Sequence, residues 1–168
     1  MTSLTLPSPR HPWAGLAAWL ALSVAVAVIG GIASADAGNF YRQLEQPDWA
    51  PPARLFGPVW TVLYAAMAVA AWWVWRSPPG PARSTALVLY VVQLVPNALW
   101  SWLFFAWQQG ALAMADIALL WLLIVATVLA FWRVKPGAAA LLLPYLAWVS
   151  FAAALNFWLW RHNPALLG

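Results

Sequence analysis

Five uninterrupted apolar stretches, each long enough to form a membrane-spanning helix, dominate this chain of 168 residues. A hydrocarbon core about 30 Å thick is crossed by roughly 20 apolar helical residues. The stretches that reach this length are residues 13–33, 57–76, 84–107, 111–132 and 138–160. None of them alternates apolar and polar residues as a barrel strand does. The pattern therefore predicts an all-α fold, an integral membrane bundle of five transmembrane helices.

The composition excludes several classes of protein. Hydrophobic residues make up 65% of the chain and charged residues only 7%, whereas a soluble globular chain carries roughly 25% charge. The net charge of +4 comes from cations that flank the apolar stretches, so we interpret them as membrane anchors and expect no nucleic-acid partner. There is no cysteine, and the two histidines lie at opposite ends of the chain. Because a protein-built metal site needs three or four clustered ligands, we expect no metal and no resident cofactor.

The chain reads as a single domain with one long loop. We expect an N-terminal tail at 1–12, one five-helix domain at 13–163 and a C-terminal tail at 164–168. The first apolar stretch has 21 residues, longer than the roughly 7–15 of a signal peptide, so we predict that it is retained. Residues 34–56 connect the first two spans, and long loops are usually functional or disordered. The aromatic residues in this loop favour an ordered lid over one mouth of the bundle: Phe40, Tyr41, Trp49 and Phe56.

The distribution of cations predicts the orientation of the bundle. One side of the predicted bundle carries Arg10, Arg76, Arg83, Arg133 and Lys135. The other side carries Arg42, Arg54 and Arg161, together with the acids of the long loop. Because short cytoplasmic segments are enriched in Lys and Arg, we predict a cytoplasmic N-terminus, with the C-terminus and the loop 34–56 on the outer side.

Most of the 15 tryptophans lie near span ends and fit an interfacial aromatic belt. Polar residues inside a bilayer usually face the bundle interior, and three spans each carry an inward stripe of aromatic or amide residues. Their members are Trp60, Tyr64, Met67 and Ala71; Gln93, Asn97 and Ser101, with Pro96 and Trp100 beside them; and Tyr145, Trp148, Ala152 and Asn156. These stripes predict a pocket for a large, flat, mostly apolar ligand. The alternative is that the amides only join helix to helix.

Two motifs in the lid and the second span point to a known family. Leu44–Pro52 (LEQPDWAPP) and Phe56–Tyr64 (FGPVWTVLY) closely resemble the signature of the translocator protein family, also called TspO/MBR, tryptophan-rich sensory proteins or peripheral-type benzodiazepine receptors. Further matches are Gln93 with Asn97–Ser101 (NALWS), Asp116, Pro144–Trp148 (PYLAW), Phe151–Ala152 and Leu155–Asn156. The resemblance covers roughly residues 13–163.

This resemblance implies a five-helix bundle, commonly a homodimer, that binds porphyrins such as protoporphyrin IX, isoquinoline carboxamides and benzodiazepines. The family's pocket residues match Tyr41, Trp49, Trp60, Asn97, Trp100, Trp148, Ala152 and Asn156. Tyr64, Gln93 and Tyr145 from the stripes complete the candidate ligand-binding set. Mitochondrial members bind cholesterol, but Phe157 stands at the tyrosine position of the cholesterol-recognition pattern. We therefore do not expect cholesterol to bind through that motif.

The leading hypothesis is a tetrapyrrole-binding protein of a bacterial cell membrane that acts as a sensor, scavenger or regulator of porphyrin. One alternative is an enzyme that degrades protoporphyrin IX in light and oxygen, for which the family implies Trp60 and Trp148 as the catalytic residues. The chain shows no conventional nucleophile and base, so such a reaction would depend on the reactivity of the porphyrin. Another alternative is a transporter of porphyrins or small metabolites, although five spans without an internal repeat do not suggest alternating access.

Overall fold

A computed structural model describes residues 12–168, and the regular structure in this part of the chain is entirely helical. The helices are α1 (Pro12–Ala33), α2 (Ala37–Gln43), α3 (Phe56–Trp75), α4 (Pro81–Ser101), α5 (Gly110–Val134), α6 (Pro136–His162) and α7 (Pro164–Leu167). A 3₁₀ turn, Ala53–Leu55, leads into α3, and a π-helical turn, Trp102–Ala106, continues α4.

Five of these segments are long and apolar enough to cross a membrane, so the predicted five-helix transmembrane fold is confirmed. The third and fifth spans begin slightly earlier than the sequence pattern suggested, at Pro81 and Pro136. Proline suits the first position of a helix because its fixed φ is already helical and its missing N–H has no partner there anyway. The prolines that look like breakers in the sequence therefore start these helices.

Successive long helices run in opposite directions, which gives the bundle two distinct ends. We call one the lid end: it holds the C-termini of α1, α4 and α6 and the N-termini of α3 and α5. We call the other the basic end: it holds the C-termini of α3 and α5 and the N-termini of α4 and α6. Helix α5 packs against α4 and α6, and α1 packs against α3 and α4. Between them lies an apolar core that includes Met67, Tyr90, Ile124, Leu142 and Tyr145.

A glycine brings α1 close to α3 at the basic end. A Cβ atom built on Gly15 would collide with the indole ring of Trp75, so a side chain at this position would require that ring to move. Toward the lid end the same helix pair borders an open space, and small residues of α1 face it. The first span is therefore fixed at one end and lines a cavity at the other.

Residues 34–56 form an ordered cover over the lid end. Phe40, Tyr41 and Leu44 of this segment are buried. The ring of Phe40 packs edge-on against Phe104 of the π-helical turn, with 6.3 Å between ring centroids. At the other end of the chain, Leu167 of α7 is fully buried and packs against the start of α5. Aromatic and aliphatic contacts thus hold the cover on the bundle.

Candidate ligand-binding cavity

A cavity of about 650 Å³ lies beneath the cover, among α1, α3 and α4. Its volume falls within the roughly 300–1,000 Å³ of small-molecule sites. Helix α1 and Ser34, the residue directly after it, supply a wall of mostly small residues: Leu20, Ser23, Val24, Ala27, Gly30, Gly31 and Ser34. These recur every three to four residues, so they share one helix face. The space exists largely because this face lacks bulky side chains.

Helix α3 supplies the aromatic wall. Trp60 and Tyr64 both line the cavity, and their ring centroids are 5.4 Å apart. Trp60 also lies edge-on to Tyr145, at 6.1 Å between centroids. Positions 60, 61, 64 and 65 of α3 line the cavity. Of the predicted stripe, Trp60 and Tyr64 reach it, whereas Met67 and Ala71 are buried in the core. These rings present flat apolar surface to a ligand.

Helix α4 supplies the polar part of the wall through Asn97. The Tyr64 hydroxyl donates to Asn97 Oδ1, and Asn97 Nδ2 donates to the Tyr145 hydroxyl at 2.8 Å. The Tyr145 hydroxyl in turn donates to Gln93 Oε1 at 2.7 Å. Because an amide NH₂ group has two donors, these bonds leave one N–H of Asn97, a residue that lines the cavity, unused. The chain of bonds fixes the amide of Asn97 in its orientation.

Trp100 forms the next part of the α4 wall and is tied to α6. Its Nε1 donates to Asn156 Oδ1 at 3.0 Å, and Asn156 Nδ2 donates to the Gly110 carbonyl at 3.3 Å. The Trp100 ring also stacks on Phe104, with centroids 5.1 Å apart and 14° between the planes. The buried amide of Asn156 therefore joins three helices behind the cavity wall.

Tyr41 closes the cavity from the cover. Its hydroxyl donates to the Pro51 carbonyl at 3.2 Å, and its ring lies edge-on to Phe56, 5.7 Å away. Burial raises the pKa of the Tyr41 phenol, so this group stays a neutral donor. Phe56 also lines the cavity, and its other side faces a separate aromatic group.

That aromatic group joins the cover to α6. The Trp148 ring lies 5.9 Å from Phe56 and 5.6 Å from Phe151, and Trp49 lies 5.7 Å from Phe151. The Trp148 Nε1 is buried and has no hydrogen-bond partner among residues 12–168. Phe56 therefore stands between this group and the cavity.

The structure brings together five of the sequence-predicted ligand residues at the cavity wall: Tyr41, Trp60, Tyr64, Asn97 and Trp100. Tyr145 lies one hydrogen bond behind the wall, and Gln93 lies one further bond behind Tyr145. Trp49, Trp148, Ala152 and Asn156 lie outside this wall, on the side of α6. A ligand role for all eleven predicted residues stays a prediction.

Sequence reasoning missed the contribution of α1. The signal was present in the spacing of Ser23, Gly30 and Ser34, but small residues occur on many faces of a membrane helix. Within the described chain, no three His, Asp or Glu side chains lie close enough together to hold a metal ion. The chemistry that the wall offers is therefore aromatic stacking, apolar contact and a few neutral donors and acceptors.

Fold and cavity together define a class: five-span helical membrane proteins with a ligand-sized, aromatic cavity at one end of the bundle. A family model described as the TspO/MBR family matches residues 18–161. The chain belongs to the TspO/MBR family, and the family predicted from its motifs is confirmed.

Similar proteins come from bacteria and from animals. The tryptophan-rich protein TspO of Chlorobaculum tepidum is 41% identical over 154 residues, which cover 86% of this chain and 96% of that protein. The tryptophan-rich sensory protein of Cereibacter sphaeroides is 36% identical over 151 residues, covering 90% and 92%. The human translocator protein is 39% identical over 127 residues, covering 74% and 75%.

Proposed function

We propose that the cavity binds a flat tetrapyrrole such as protoporphyrin IX, and that the protein acts as a sensor, scavenger or regulator of porphyrin. The observation that carries this proposal is the cavity of about 650 Å³ with Trp60, Tyr64 and Trp100 in its wall. A planar macrocycle needs apolar walls and ring faces, and aromatic rings pack best offset or edge-on at about 4.5–7 Å.

The polar wall gives the proposed ligand its orientation. Asn97 offers one amide N–H that its bonds to Tyr64 and Tyr145 leave free. One fixed donor in an otherwise apolar wall is typical of small-molecule sites. Isoquinoline carboxamides and benzodiazepines also combine flat rings with an amide or imine acceptor. We therefore expect them to compete with protoporphyrin IX for the same cavity.

Filling the cavity tests the proposal. Gly31 lines the cavity, and a Cβ built there meets no atom within 4 Å, so Gly31→Phe is expected to occupy ligand space without displacing protein. We expect wild-type tryptophan fluorescence to be quenched saturably by protoporphyrin IX in the dark, and Gly31→Phe to lose this quenching. The matched control is Ala118→Phe, at an exposed position of α5. Saturable quenching that survives Gly31→Phe would place the ligand elsewhere.

A second candidate function is the light- and oxygen-dependent oxidation of the bound porphyrin. The observation that favours it is the contact of the cavity indole, Trp60, with the phenols of Tyr64 and Tyr145, because these are side chains that can take part in radical chemistry. The test is a new absorbing product that forms under light and oxygen faster than with free porphyrin. If Trp60→Phe combined with Trp148→Phe leaves that rate unchanged, the protein only holds the porphyrin.

We further propose that the lid end faces outward and the basic end faces the cytoplasm. This rests on the cations of the basic end, Arg76, Arg83, Arg133 and Lys135, and on the positive-inside bias. The chain contains no cysteine, so single-cysteine variants report orientation directly. An impermeant maleimide on intact cells is expected to label Asp48→Cys and to spare Pro79→Cys. The reverse labelling would contradict the orientation.

A further inference from the structure

The basic end carries positive charge with no acid to balance it. Arg76, Arg83, Arg133 and Lys135 all lie at or beside helix ends there. The four acids of the chain are Asp36, Glu45, Asp48 and Asp116. The first three belong to the cover, and Asp116 lies in the second turn of α5 from the lid end. The cations at this end therefore have no carboxylate partner within the bundle, and an anion from outside can bind there without competition from a protein acid.

A second hollow, of about 520 Å³, lies at this end between the C-terminus of α3 and the α5–α6 connection. It is lined by Trp73, Arg76, Ser77, Pro78 and Lys135. The two cations come from different elements and converge on one space. This arrangement differs from a surface on which cations are merely scattered.

Aromatic contacts hold the walls of the hollow in place. The Arg76 guanidinium lies over the Trp72 ring, 4.9 Å from its centroid, which positions the cation at the rim. A Cβ built on Gly137 would touch the Trp73 ring at 3.5 Å, so Trp73 packs against the start of α6. The Arg83 guanidinium donates to the carbonyl of Ser77, a lining residue, at 2.9 Å and ties the α3–α4 connection to α4.

From its place along the spans, we expect the hollow to lie at the depth of lipid headgroups. It sits where two spans end, and tryptophans at such ends mark the membrane interface. The neighbouring Trp132, on the last turns of α5, is 57% exposed and available to lipid. Basic pockets between transmembrane helices on the cytoplasmic side bind anionic headgroups.

From this arrangement we infer that the hollow is a binding site for one anionic phospholipid. The guanidinium of Arg76 and the ammonium of Lys135 bind the phosphodiester, and the face of Trp73 contacts the glycerol and the first acyl carbons. The apolar wall selects a lipid over a free phosphate ester, which has no apolar part to bury. The site is separate from the cavity at the lid end and does not depend on its occupant.

Native mass spectrometry of the full chain, purified in detergent, tests this site. The probes are phosphatidylglycerol and phosphatidylcholine with the same acyl chains. We expect the wild type to retain phosphatidylglycerol in preference, and Arg76→Gln combined with Lys135→Gln to reduce that preference about tenfold or more. The control pair, Arg54→Gln with Arg161→Gln, removes two cations from the lid end and is expected to keep the preference.

Three results would overturn the site. If the preference for phosphatidylglycerol falls equally in both double variants, the lipid is attracted by the overall positive charge of the protein and not by this site. An unchanged preference in the Arg76/Lys135 pair would show that the lipid binds elsewhere. Displacement of phosphatidylglycerol by an equal concentration of glycerol phosphate would show a site for a soluble anion. If the double variant unfolds, Lys135→Gln alone takes its place, because this position is exposed. The same outcomes then support or contradict the site. Lys135→Arg keeps the positive charge and is expected to keep the preference.

Discussion

Asn163 and Glu45 are joined by two hydrogen bonds that fasten the cover to the end of α6. The Glu45 N–H donates to Asn163 Oδ1 at 2.7 Å, and Asn163 Nδ2 donates to the Glu45 carbonyl at 3.0 Å. The same Nδ2 donates to the Leu159 carbonyl at 2.9 Å. The Leu159 carbonyl also accepts from the Asn163 backbone N–H at 3.0 Å, so one buried residue ends α6 and positions the segment that carries Tyr41.

Replacing this amide is expected to loosen the cover. Asn163→Ala leaves the N–H and carbonyl of Glu45 without their partner, at a cost of about 1–3 kcal/mol. Arg42 and Arg54 are exposed on the cover, so trypsin cleavage there should become faster while the spans stay intact. Gln43→Ala, at an exposed position on the same segment, is expected to leave the cleavage rate unchanged. Equal rates in the two variants would mean that other contacts hold the cover.

Gly110 marks a contact that tolerates no side chain. A Cβ at this position would lie 2.7 Å from Trp160 Cδ1 and 2.8 Å from the Leu167 carbonyl oxygen. Gly110→Ala is therefore expected to destabilise the protein by about 1–3 kcal/mol through overpacking, seen as a lower melting temperature in one detergent. Gly31→Ala places the same methyl group in open space and is expected to be neutral or stabilising, since alanine favours a helix. A stable Gly110→Ala protein would mean that α7 moves aside.

Two buried tyrosines, Tyr145 and Tyr90, differ in the number of hydrogen bonds that their hydroxyls make. Tyr145→Phe removes a hydroxyl that bonds both Asn97 and Gln93, so two buried amides each lose a partner. We expect a loss of roughly 1–3 kcal/mol in thermal or denaturant unfolding. Tyr90→Phe loses a single longer bond, 3.3 Å to Ser23 Oγ, and is expected to cost less. If Tyr90→Phe cost more stability than Tyr145→Phe, the bonds of Tyr145 to Asn97 and Gln93 would contribute less than the single bond of Tyr90.

The sequence was sufficient for the spans because bilayer thickness fixes the length of an apolar helix. It also placed Gln93 and Asn97 on one inward face, since positions four apart align on a helix, and both meet Tyr145. It did not reveal that α1 packs against α3 and α4, because periodicity says which face is inward and not which helix it meets. The π-helical turn at Trp102–Ala106 was also missed, since it depends on a backbone bond from the Trp107 N–H to the Trp102 carbonyl.

Trp60 and Trp148 have the same motif-based role in the sequence but different surroundings in the structure. Trp60 lines the cavity, whereas Trp148 packs between Phe56 and Phe151 with its indole N–H unpartnered among the described residues. Trp60→Phe removes ring area from the proposed ligand, so we expect protoporphyrin IX affinity to fall roughly three- to tenfold in a dark titration. Trp148→Phe keeps an aromatic ring and removes a buried N–H that has no acceptor, so stability and affinity should change little.

The opposite result for Trp60→Phe and Trp148→Phe would also show where the ligand binds. Phe56 lines the cavity and contacts Trp148, so a ligand that turns this ring aside would come closer to α6. In that case Trp148→Phe would weaken binding as much as Trp60→Phe, and Phe56→Ala would strengthen it by opening the way to Ala152. Weaker binding in Phe56→Ala, with Trp148→Phe unchanged, would confirm that Phe56 is a fixed part of the wall and that the ligand stays among α1, α3 and α4.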